Sequence, residues 1–152
     1  GAIADAAITA IYGEPKSKQH LELAEICKEA LYQGIRAIQI GKQLGCIGYA
    51  IHRYVTNKSR FGLINNYGGH GIDENMPHAP PFVANKDRSN NGIRIQAGLT
   101  IAIEPMVNIG KPDIQTTEDG YTIKTLDGSR SAHFEHTVAI TEKGNIILTS
   151  ND

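Results

Sequence analysis

Residues 134–149 read Phe-Glu-His-Thr-Val-Ala-Ile-Thr-Glu-Lys-Gly-Asn-Ile-Ile-Leu-Thr. Two runs of β-forming residues flank Glu142-Lys143-Gly144, a short connection containing glycine. That pattern predicts an antiparallel hairpin. Outward from it, residues 99–104 (Leu-Thr-Ile-Ala-Ile-Glu) and 121–125 (Tyr-Thr-Ile-Lys-Thr) carry the same strand signal. The polar, proline-rich stretch 77–91 reads as a loop. Residues 1–12 read as an extended segment with Ile8, Ile11 and Tyr12 as strand formers.

Helical periodicity is confined to the first part of the chain. Leu21, Ala24, Cys27, Leu31, Ile35 and Ile38 recur every three or four positions, which predicts a helix with one buried face over about 17–38. Pro15 is placed to open it and Gly41 to end it. A second helix is predicted with Leu44, Ile47, Ile51 and Val55 on one face. An extended segment, two helices and then several strands imply an α+β fold, with helices covering one face of a mostly antiparallel sheet.

Bulk properties narrow the function. The 152 residues suffice for one domain with its own core. A net charge of −1 and scattered basic residues give no field that favours nucleic acid or a membrane surface. No apolar run approaches the roughly 18 residues of a membrane span. No signal-peptide pattern is present. Cys27 and Cys46 lack metal-site spacing and read as buried free thiols of a reducing cytoplasm.

Four residues stand out chemically: Asp5, His70, Glu104 and Glu135. Glu104 and Glu135 each interrupt a run that otherwise asks for burial. A lone buried carboxylate costs several kcal/mol or shifts its pKa until it is neutral, so such a group implies a cation, a hydrogen-bond network or a catalytic task. Carboxylates from different strands plus one histidine make a hard, oxygen-rich site for a divalent transition metal. Two such metals bridged by carboxylates are a known device for hydrolysis. Each residue also has an ordinary reading alone: a solvent-facing strand glutamate, a turn histidine between glycines, a surface aspartate near a terminus. Alternation along the strand means that Glu135 cannot share a face with Phe134 and His136.

Taken together, Tyr67-Gly68-Gly69-His70-Gly71-Ile72, Ala102-Ile103-Glu104-Pro105-Met106-Val107, Gly120-Tyr121-Thr122 and Ser131-Ala132-His133-Phe134-Glu135-His136-Thr137 resemble the type I methionine aminopeptidases. Their order and approximate spacing match along essentially the whole chain. The resemblance implies a pita-bread α+β fold, a single catalytic domain over 1–152 with its first strands missing, and a dinuclear metal site. It implies Asp5 and Glu135 as bridging ligands, and His70 and Glu104 as terminal ligands of one metal. Glu104 would also take a proton from the metal-bound water. The metal expected is Mn, Fe, Co or Zn. The substrate expected is a peptide or nascent-protein N-terminus whose methionine is removed when the next residue is small. The setting is cytoplasmic, with the ribosome as a candidate partner.

The chain departs from that pattern in places. The family's first aspartate falls upstream of Gly1, which leaves one well-formed metal position and one weak one. Ala4 stands where the family has glycine, and Asp73 stands at another such position. The family's second histidine, a hydrogen-bond donor to the scissile peptide, would fall at Pro77, and the nearest candidate is His78. A one-residue insertion lets His78 serve; a substitution leaves it aimed elsewhere. Phe61 and Phe82 suit either an apolar pocket or the core. His133 takes no role from the resemblance, and His136 is expected on the opposite side of its strand. Two other functions remain compatible: a non-catalytic pita-bread domain that binds peptides or a partner, and a prolidase-like exopeptidase.

Overall fold

A computed structural model describes residues 1–150. Helix α1 spans Lys18–Ala37 and begins at Ser17, whose hydroxyl accepts from Gln19 N at 3.2 Å. A serine cap stabilises the start of a helix because it satisfies an otherwise orphaned N–H. Ser17, not Pro15, therefore sets the start. The helix ends at Ala37, and Gly41 takes φ +88° in the turn that follows. The buried face is Leu23, Ile26, Cys27, Ala30, Leu31, Gly34 and Ile35. Cys27, Leu31, Ile35 and Ile38 are buried as expected, whereas Leu21, in the first turn, is 53% exposed and Leu23 is buried instead. Helix α2 spans Gly45–Lys58, and Leu44, Ile47, Ile51 and Val55 are buried as expected.

Among the described residues ten strands follow: β1 (Gly62–Leu63), β2 (Gly68–Gly71), β3 (Ala79–Ala84), β4 (Thr100–Ile103), β5 (Met106–Asn108), β6 (Ile114–Thr116), β7 (Ile123–Thr125), β8 (Ser131–His133), β9 (His136–Thr141) and β10 (Gly144–Ile147). One antiparallel sheet has the order β10-β9-β4-β2-β3. A smaller sheet has the order β1-β5-β8, and β6-β7 is a separate hairpin. The predicted terminal hairpin is β9-β10, with Thr141 opposite Gly144. Helix α1 packs on β4, β5 and β8, and α2 packs on β3. Ile101, Ile103, Val107, Val138 and Ile140 meet the helices in one core.

Two expectations are corrected. Strand β3 occupies part of the 77–91 stretch expected as loop. It lies at the edge of its sheet, where Pro80 and Pro81 need no ladder partner on their outer side. Residues 1–12 do not form a strand. Only Ala7 pairs, with Glu135, through bonds of 2.9 and 3.4 Å. Ile8 and Tyr12 lie exposed, so their β propensity finds no surface to cover.

One feature of the topology positions the site. Strand β4 leaves the large sheet and continues as β5 in the small one, across Glu104-Pro105. Its neighbour makes the same change in reverse, from β8 to β9 across Phe134-Glu135. Ile103 pairs with His136 on one side of the break, and Met106 with His133 on the other. The two glutamates thus sit opposite one another where both strands change sheets. Behind the break the Cys27 thiol donates to Pro105 O at 3.2 Å and Ala132 O at 3.3 Å. Burial pushes its pKa up to about 12, so it remains a neutral donor. Both cysteines are free and buried.

Candidate metal centre

Strand β2 delivers His70 between glycines that let it lie close against β3 and β4. The ring Nδ1 lies 3.0 Å from Gly71 O. With Nδ1–H donating there, Nε2 carries the lone pair toward the cleft. Three carboxylates surround that atom almost evenly. Asp5 Oδ2 is at 3.9 Å, Glu104 Oε1 at 3.8 Å and Glu135 Oε1 at 3.9 Å. The elements involved are far apart in sequence. Asp5 is held by Thr137, whose hydroxyl accepts from Asp5 N and donates to Asp5 O, each at 2.8 Å. Glu104 is held through its carbonyl, which accepts from Asn85 Nδ2 at 3.0 Å. Asn85 is buried and also donates to Tyr67 O, tying the entry of β2 to the end of β4.

Two donors bound to one ion at about 2.1 Å each lie no more than about 4.2 Å apart. The His70–carboxylate separations satisfy that limit. Glu135 supplies an independent sign. It is 5% exposed, and its Oε1 has no hydrogen-bond partner. Burial, then the charges of Glu104 and Asp5, push its pKa up to about 7, against a weaker opposing pull from His133. A buried oxygen without a proton donor, crowded by two further acids, is an arrangement that a divalent cation would relieve. His70, Glu104 and Glu135 bring their ligand atoms close enough together to fit one such ion, and Asp5, His70 and His78 form a second such group.

His78 reaches the same place from the loop before β3. Its Nε2 lies 3.7 Å from Asp5 Oδ2, and its ring centroid is 4.4 Å from that of His70. It stands at the mouth, largely in solvent. The cleft has a volume of about 710 Å³, and Tyr67, Pro80 and Phe82 form its apolar wall. Phe61 is elsewhere, packed against the core. His136 points to the other side of β9, toward Tyr32 and Thr149. Asn85, Thr137 and His133 escaped the sequence reading. Thr137 and His133 lie beside Glu135 and were open to suspicion; Asn85, in a polar stretch, carries no signal.

The Glu135 shift makes metal-free stability depend on pH. Below about 4.5 the carboxyl is protonated whether folded or not. Between there and about 7 only the unfolded chain ionises, so stability falls as pH rises, and the loss is complete above the folded pKa. With screening by water at the cleft, the group's contribution is about 1–2 kcal/mol. Urea unfolding in chelator at pH 4.5 and 8 measures it by comparison with Glu135→Gln. The parent should lose more stability than the variant across that interval, and parallel losses would refute the assignment.

Fold and centre together present a carboxylate–histidine cluster on an antiparallel sheet backed by two helices. Residues 1–142 match the model of Metallopeptidase family M24, and the chain belongs to that family. It is 47% identical over 151 residues to the methionine aminopeptidase of Aquifex aeolicus, covering 98% of this chain and 57% of that protein. The crystal structure of methionine aminopeptidase from Thermotoga maritima superposes with a TM-score of 0.92 at 40% identity, over 97% of this chain and 58% of that one. The fold is therefore the expected pita-bread α+β fold. The prolidase from Pyrococcus furiosus is 22% identical with a TM-score of 0.70, over 98% of this chain and 37% of that one, which shows shared fold alone. The chain spans about half the length of the curated relatives it matches. Among the described residues no helix is long and apolar enough to cross a membrane.

Proposed function

We propose that this chain carries the catalytic metal centre of a methionine aminopeptidase acting in the cytoplasm. The observation that carries the reading is the convergence of Asp5, Glu104 and Glu135 on His70 Nε2, inside a cleft open to a peptide. His70, Glu104 and Glu135 would hold a divalent ion, Mn, Fe, Co or Zn, with Asp5 as a further ligand from the neighbouring group. When bound, the ion would supply Lewis acidity toward the scissile carbonyl and the attacking water. Glu104 accepts a proton from the attacking water at a carboxylate oxygen. His78, at the mouth, donates a hydrogen bond to the carbonyl oxygen as charge builds there. Tyr67 and Phe82 present apolar surface to the substrate's first side chain. The substrate is a peptide or nascent-protein N-terminus beginning with methionine and a small second residue, presented where proteins emerge from the ribosome.

The test uses the protein's full natural chain loaded with Mn2+. Met-Ala-Ser and Ala-Pro substrates are compared by release of the first residue. Free methionine from Met-Ala-Ser is expected. Cleavage limited to the X-Pro substrate would replace the reading with a prolidase-like one. Tight metal binding without any cleavage would leave a binding domain.

A further inference from the structure

One more imidazole reaches the centre. His133 ends β8 two residues before Glu135, so strand alternation turns both into the cleft while Phe134 enters the core. Its Nε2 lies 3.2 Å from Glu104 Oε2, the shortest histidine–carboxylate approach among the described residues. That nitrogen is buried and lies within reach of Oε2, yet completes no hydrogen bond there. It is an uncommitted polar atom beside a carboxylate.

The backbone that carries the ring has little freedom. Thr9 Oγ1 donates to His133 O at 2.8 Å and His133 N donates to the same hydroxyl at 2.8 Å. On its other edge His133 pairs with Met106, two residues beyond Glu104. Across the break, Phe134 N donates to Pro105 O at 3.5 Å. His133 and Glu104 are thus fixed to the same junction. The two oxygens of Glu104 face two different imidazoles, Oε1 toward His70 and Oε2 toward His133. The terminal torsion of a glutamate is broad, so a carboxylate held at neither oxygen swings between orientations. A partner at Oε2 restricts that swing.

We propose that His133 is a positioning residue for Glu104: its Nε2–H donates to Oε2 and keeps Oε1 turned toward His70 and the cation position. This rests on the metal-centre reading above. Partners that orient a ligand in this way are worth about 10–100-fold in metal affinity or activity. His133 is not among the residues that would hold the ion.

The test compares His133→Phe, His133→Asn and His133→Gln in the full natural chain. Mn2+ affinity is read by titration calorimetry, and kcat and KM on Met-Ala-Ser. The phenyl ring has no donor, and the asparagine amide is too short to reach Oε2. Both variants should weaken Mn2+ binding about tenfold and lower kcat by about tenfold or more, with KM within about twofold. The longer glutamine amide should restore both quantities to within about threefold of the parent. The asparagine variant keeps the comparison decisive if the phenylalanine variant does not fold. The proposal is overturned if affinity and kcat stay within about twofold in the donor-less variants, if KM alone rises, or if glutamine behaves like phenylalanine. Should the parent cleave no peptide, the function proposed above fails, and the Mn2+ affinities still decide this inference.

Discussion

Replacing Glu135 with glutamine is expected to weaken Mn2+ binding by more than about 100-fold, beyond what loss of an outer partner costs. The substitution keeps the shape of the side chain and removes its charge. Glu135 stands in the break between β8 and β9, buried, with Oε1 turned toward His70 Nε2 at 3.9 Å. An amide oxygen there is a far poorer donor to a hard cation than a carboxylate. The metal-free protein should respond in the opposite direction. At pH 8 the glutamate is a buried anion beside Glu104 and Asp5. Glutamine should therefore stabilise the metal-free fold by about 1–2 kcal/mol at that pH. The two responses separate a functional carboxylate from a structural one. Calorimetric titration and urea unfolding of parent and variant measure both. Unchanged Mn2+ affinity would remove Glu135 from the centre, and marked destabilisation without metal would make it a structural group.

The second large effect is expected at Gly69. A Cβ built there would lie 2.0 Å from Ala102 O and 2.9 Å from Ala102 C. Neither atom can retreat easily, because Ala102 sits in β4, paired to β9 at Thr137. Thr137 in turn holds Asp5. Gly69→Ala must therefore push β2 away from β4. We expect a loss of about 3 kcal/mol or more, at the upper end of overpacking costs. His70 is the next residue along β2, so Mn2+ affinity should fall with stability. Urea unfolding gives the first quantity and titration calorimetry the second. A loss below about 1 kcal/mol with affinity unchanged would mean that β2 tolerates displacement and that the glycine is not a steric requirement.

Much of this was legible in the chain. The α2 face and the β9-β10 hairpin follow from local periodicity, which needs no knowledge of the partner surface. Glu104 and Glu135 stood out because each placed a charge in a run that burial otherwise demanded. Asp5 stood out in its apolar stretch, but its role as a ligand came only through resemblance, since one aspartate carries no local sign of what it faces. Leu21 lies exposed in the first turn of α1, because periodicity gives the face of a helix and only the surface beneath decides how far along it that face is covered. The loop expected over 77–91 conceals β3 because two prolines argue against a strand unless the strand lies at an edge. Edge position belongs to the sheet and is not written locally.

The sequence by itself determined the classes of element, the hairpin, one helix face and the chemical types available for a metal. These depend on each residue's own hydration and backbone preference, which act over a few positions. The tertiary structure alone decided which donors meet. The paired change of sheet at Glu104-Pro105 and Phe134-Glu135 sets two glutamates opposite each other. Thr137 then brings Asp5 to them, and Asn85 secures the approach of β2 with His70. The same junction brings His133 to within 3.2 Å of Glu104. Such meetings arise from long-range pairing of strands. No local pattern encodes them, because the geometry of a break exists only between two chains of residues held side by side.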